Sequence, residues 1–108
     1  MKLIVAYIRP ETLGAVKRSL YAEQLYSMSV TNILGSGRQK GYVEMYRGIA
    51  TEVTLLKKVR MELCVKEGDV KKAMNAITAG ACTGHEGDGI IYVLDVIEGH
   101  RIRTGESL

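Results

Sequence analysis

Between Lys57 and Val65 the chain alternates with a period of two: Val59, Met61, Leu63 and Val65 are separated by Lys58, Arg60, Glu62 and Cys64. Side chains along a strand point alternately to opposite faces, so this stretch requires a sheet with one packed side and one charged side. Residues 2–9, KLIVAYIR, are β-branched and aromatic-rich and are stopped by Pro10, which cannot donate to a continuing ladder. Residues 28–34, MSVTNIL, and residues 90–97, IIYVLDVI, supply two further strands, the last apolar on both sides.

Helical spacing separates these strands. From Glu11 to about Ser27, Leu13, Val16 and Leu20 recur on one side while Lys17 and Arg18 fall outside. After Gly68 and Asp69, taken as a turn and an N-cap, Val70, Ala73, Met74 and Ile77 follow the i, i+3, i+4, i+7 pattern, and this helix is expected to end near Gly84. Two βαβ units in 108 residues imply one domain over 1–108. The expected fold is α+β: a ferredoxin-like βαββαβ arrangement, an antiparallel four-stranded sheet with both helices on one face. A last strand with two apolar faces would then leave Ile, Tyr, Leu and Val facing water, which favours self-association.

Charge narrows the function classes. Fifteen Lys and Arg against twelve Asp and Glu give a net charge of +3, too small for a dedicated nucleic-acid binder but sufficient for an anionic ligand if clustered. The start MKLIVAYIRP fits neither a signal peptide nor a membrane span, so the expected setting is cytoplasmic, without membrane insertion and with Cys64 and Cys82 as reduced thiols.

Three segments carry candidate chemistry. The first is GSGRQKGYVEMYRG, residues 35–48, which opens a long connection without strong periodicity; such loops are usually functional or disordered. Its Gly35, Gly37 and Gly41 miss the dinucleotide fingerprint by one residue, and no phosphate-loop pattern occurs in the chain. Either its backbone amides and Arg38, Lys40 and Arg47 face an anion, or it is a solvated loop whose glycines permit turns. The second is TGHEGDG, residues 83–89, with more glycines than a helix C-cap needs. The third is Arg101-Ile102-Arg103-Thr104-Gly105, where alternating arginines on an extended segment would share one side and grip a phosphate or carboxylate. Cys82 and His85 have C-x-x-H spacing but lack a second close pair, and no oriented nucleophile and base are evident, so neither a structural zinc nor an enzyme is expected.

In order, GSGRQKGYVEMYRG, TGHEGDG and RIRTGE resemble the PII signal-transduction proteins, and the resemblance extends from IVAYIRPE to RIRTGES without a gap. It implies a homotrimer with ATP or ADP in the clefts between subunits, 2-oxoglutarate joining magnesium-bound ATP, and a T-loop at approximately 37–56 that docks onto a membrane transporter or metabolic enzyme. The C-terminal tail would occupy approximately 98–108. By position, the resemblance assigns nucleotide contacts to Ser29, Gly35, Gly37, Arg38, Gln39, Lys58, Glu62, Cys64, Thr83, Gly87, Asp88, Gly89, Arg101 and Arg103. The effector anion, 2-oxoglutarate or bicarbonate, would meet Gln39, Lys40, Gly41 and Lys58, with Gln39 also contacting magnesium through ATP.

Departures from the family pattern bear on ligand choice. The phosphate-binding lysine that follows the GDG motif is Ile90 here, and a hydrogen bond to a charged group is worth ~1.5–3 kcal/mol, or about one to two decades of affinity. The uridylylated tyrosine and phosphorylated serine of some members are Thr51 and Ile49, and His85 replaces a lysine. Two readings therefore stand. One is a sensor of ATP, ADP and 2-oxoglutarate. The other is a divergent regulator of ADP or AMP, with bicarbonate as a candidate anion, linked to inorganic-carbon uptake or carboxysomes.

Overall fold

The computed structural model describes residues 1–35, 43–46, 49–52 and 55–108, the two short segments before 55 by their backbone only. Its main sheet contains β1 (Lys2–Ile8), β2 (Ser29–Gly35), β5 (Leu56–Val65) and β6 (Gly89–Asp95), in the spatial order β2-β5-β1-β6. All neighbouring pairs are antiparallel. Helices α1 (Leu13–Ala22) and α2 (Val70–Ala81) cover one face, as the ferredoxin-like pattern requires. A second, two-stranded sheet pairs β3 (Val43–Tyr46) with β4 (Ile49–Glu52), within a connection that has no strong periodicity in sequence. No described helix is long and apolar enough to cross a membrane.

The period-two stretch packs as its spacing demands. Val59, Met61, Leu63 and Val65 are buried with Ile4, Ala6 and Ile8 of β1, against Val16 and Leu20 of α1 and Ala73, Ala76 and Ile77 of α2. Burying each large aliphatic side chain contributes about 1.5–3 kcal/mol, so the layer of Ile4, Ile8, Leu20, Met61 and Ile77 dominates the stability of the domain. On the opposite face, direct cross-strand partners place Cys64, Glu62 and Arg60 beside Leu3, Val5 and Tyr7, and these beside Leu94, Tyr92 and Ile90, while Lys58 lies opposite Ile33 of β2. Tyr7 and Tyr92 meet edge to face with centroids 6.3 Å apart, and the Arg60 guanidinium lies 6.0 Å from the Tyr7 ring centre.

Three element ends fall two or more residues short of the sequence reading and one helix start is built differently from it, each for a local reason. Helix α1 stops at Ala22 instead of continuing to Ser27, because Gln24 adopts a left-handed φ of 62°. The Leu25 amide then donates to the Leu20 carbonyl and the Gln24 amide to that of Tyr21, the paired bonds of a Schellman stop. Helix α2 stops at Ala81, because the amides of Thr83 and Gly84 donate to the Asp88 carboxylate instead of extending the helix. Asp69 occupies the N-cap position, but its side chain makes no capping bond: the helix is entered through a tight turn, Glu67–Asp69, which leaves Asp69 in helical backbone geometry. Finally, β6 ends at Asp95, which lies opposite Lys2; beyond it β1 offers only the Met1 carbonyl to the Val96 amide, and Ile97 is outside the ladder.

Candidate functional site

The loop from Thr83 to Gly89 is organised by a carboxylate. Asp88 accepts from the Thr83 amide (2.7 Å), the Gly84 amide (2.9 Å), the Thr83 hydroxyl and Arg9 Nε (3.2 Å). These donors, the Thr83 hydroxyl foremost, hold its carboxyl well below the usual aspartate range. Arg9 also donates through its terminal nitrogen to the Glu86 carbonyl, so one guanidinium ties the end of β1 to both sides of the loop. Gly89 closes the loop against β1: a Cβ there would lie 1.7 Å from the Tyr7 carbonyl oxygen, and its φ of +119° is one that side chains rarely adopt.

Lys58 connects this loop to the base of the long connection. Its ammonium donates to the Gly87 carbonyl at 2.7 Å, and its Cγ lies 3.7 Å from where a Cβ on Gly35 would stand. Partial burial, followed by the nearby Arg9 charge, lowers the Lys58 pKa, against opposing pulls from Glu11 and Asp88. Gly35, Lys58 and Gly87 are thus gathered at one end of the sheet, where backbone groups and two cations could meet an anion.

A second set lies along the β2 and β5 edge. Ser29 pairs with Glu62, and both line an open groove with Leu3, Tyr26, Met28 and Cys64. Glu62 also pairs with Arg60 at 2.8 Å. The groove combines an apolar floor with a hydroxyl and a carboxylate, features suited to a flat ligand with polar edges.

The arginine segment differs from the extended form expected of it. Residues 102–104 turn, with the Gly105 amide donating to the Arg101 carbonyl (2.7 Å) and the Arg101 amide to the Glu106 carbonyl (2.8 Å). The Leu108 amide closes this small loop on Gly99 at 2.9 Å. Alternation on a strand therefore does not align Arg101 with Arg103; both are exposed on a turn. Gly37, Arg38, Gln39, Lys40 and Gly41 lie outside the described residues.

Two contributors escape sequence reasoning. In sequence Arg9 only breaks an apolar run, although an arginine at a strand end beside Pro10 faces whatever loop precedes the neighbouring strand. Tyr26 falls inside the expected helix; the left-handed Gln24 removes it from that helix and places it on the groove.

A family model described as "Nitrogen regulatory protein P-II" matches residues 1–106. The chain is 47% identical over 107 residues to nitrogen regulatory protein P-II 2 of Methanothermobacter thermautotrophicus, covering 99% of this chain and 93% of the relative. It is 46% identical over 107 residues to nitrogen regulatory protein P-II of Pasteurella multocida (99% and 96% covered). Its identity to that of Rhodospirillum rubrum is 45% over 106 residues (98% and 95% covered).

Proposed function

This chain belongs to the nitrogen regulatory protein P-II family, whose members are signal-transduction regulators and not enzymes, and from that premise we propose that it senses adenine nucleotides together with a small anion. The observation that carries this reading is the meeting of Gly35, Lys58 and Gly87, which joins the start of the long connection to the glycine loop. An anion bound there would change what Lys58 and the Gly35 backbone contact, and the connection from 36 to 55 would report that change to a transporter or metabolic enzyme. Cytoplasmic action of a homotrimer completes the proposal: Ile90, Tyr92 and Leu94 leave an exposed apolar patch that neighbouring subunits would cover, and Arg101 and Arg103 would reach a neighbour's groove.

Calorimetry with ATP, ADP and AMP, with and without magnesium, 2-oxoglutarate and bicarbonate, tests the ligand assignment. Enhancement of MgATP binding by 2-oxoglutarate is the expected result, and absence of heat with every nucleotide would refute it. Ile90 favours the second reading, in which ADP or AMP with bicarbonate is the physiological set, because an exposed isoleucine offers no charge to a terminal phosphate. Light scattering at micromolar concentration checks the assembly, and a monomer mass would exclude the trimer.

A further inference from the structure

We infer that Tyr26 is a base-specificity residue, stacking its ring on the purine of a bound nucleotide; this rests on the nucleotide-sensing reading above. The chain reaches Tyr26 by an unusual path. Gln24 in left-handed geometry ends α1, and Leu25 turns inward to pack on the core, so the next side chain points outward. Tyr26 is 61% exposed yet its ring is held, edge to face, by Tyr21 of the last helical turn with centroids 5.6 Å apart and planes at 62°. An exposed aromatic held by a second aromatic loses little side-chain freedom when a ligand stacks on it.

The residues that line the groove together with this ring identify the occupant. Leu3 and Met28 give the groove apolar surface, while the Ser29 hydroxyl and Glu62 carboxylate stand at its side. Glu62 is an acceptor already neutralised in part by Arg60, which suits an exocyclic amino group better than a free cation. A groove of about 530 Å³ falls within the usual range for small-molecule sites. A planar ring with an amino edge, as in adenine, matches the aromatic rim, apolar surface and polar side together, while the anion site proposed at Lys58 and Gly87 would take the phosphates.

The experiment separates base from phosphate. Affinities for ATP, CTP and inorganic tripolyphosphate are measured by calorimetry for the wild type, Tyr26→Phe and Tyr26→Ala. Removing one stacking ring weakens base binding by about 5- to 150-fold. Tyr26→Ala should lose that factor for ATP, lose less for CTP and leave tripolyphosphate unchanged, while Tyr26→Phe retains ATP affinity. In the wild type, NMR should show contacts between adenine protons and the Tyr26 ring, a readout that needs no variant. Equal affinities in Tyr26→Ala and wild type, a parallel loss for ATP and tripolyphosphate, or adenine contacts that omit Tyr26 would overturn the assignment while leaving nucleotide sensing intact. A wild type that binds no nucleotide overturns both.

Discussion

A Cβ placed on Gly80 of α2 would stand 2.6 Å from both the amide nitrogen and the Cα of Val16 in α1. The two helices therefore cross backbone against backbone, and their separation is set by this one residue. In an exposed helix interior, replacing Gly by Ala stabilises by roughly 0.8–1 kcal/mol. Here the methyl meets backbone atoms that cannot rotate away, so Gly80→Ala must push α1 off the sheet that buries Val16 and Leu20. Overpacking of this kind costs about 1–3 kcal/mol, and urea denaturation at fixed protein concentration should show a net loss of stability. A stabilised variant would mean that the helices can separate freely.

Two glycines with positive φ should respond differently to the same change. Gly84 (φ +86°) has no atom within 4 Å of the point a Cβ would occupy, whereas at Gly89 (φ +119°) that point lies 1.7 Å from the Tyr7 carbonyl oxygen. Gly84→Ala carries only the backbone penalty, about 1–2 kcal/mol. Gly89→Ala adds a clash that must break the pairing of Ile8 with Gly89 and loosen the whole 83–89 loop. Amide exchange should stay near wild type around Tyr7 in the first variant and accelerate there in the second.

The contrast between these glycines also shows what can be read from the chain. The strand pattern of 57–65 carries its own proof, since one period-two face has to be packed, and the four-stranded sheet with two helices follows from repeating βαβ spacing. Residues whose role depends on distant partners leave no such signal: Arg9 acts on Asp88 and Glu86, 79 and 77 residues further along the chain. The stop at Gln24 is hidden because glycine ordinarily supplies a left-handed helix end, and a glutamine there gives no warning. Alternation alone makes position 103 look strand-like, although the closure of Leu108 on Gly99 bends the segment into a turn.

Acid should act on the Asp88 hub. Unperturbed aspartate titrates near ~3.9, and the Thr83 hydroxyl, the Thr83 and Gly84 amides and Arg9 all lower the folded value. A depressed carboxyl stabilises the fold fully above the unfolded pKa and loses that contribution as the pH falls toward the folded one. Asp88→Asn keeps an acceptor oxygen but removes the charge, so its deficit in urea midpoint relative to wild type should be largest between about pH 5 and 7 and shrink below about pH 4. A deficit that does not change with pH would assign the loss to loop shape alone.

Restoring a cation at position 90 tests which nucleotide the cleft prefers. Ile90 follows Gly89 on the open face, lies opposite Tyr7 and is 49% exposed, so a longer side chain can be accommodated without disturbing the core. Its terminal ammonium would reach toward a phosphate held at the glycine loop, where the family resemblance assigns nucleotide contacts to Gly87, Asp88 and Gly89, and a charge-assisted hydrogen bond contributes about 1.5–3 kcal/mol. Ile90→Lys should therefore raise ATP affinity by about one to two decades, with a smaller gain for AMP, whose single phosphate leaves fewer oxygens within reach. Calorimetric titration of both nucleotides into wild type and variant checks this. An unchanged ratio of ATP to AMP affinity would show that the terminal phosphate lies away from β6, and that the missing lysine does not set the preference of this chain.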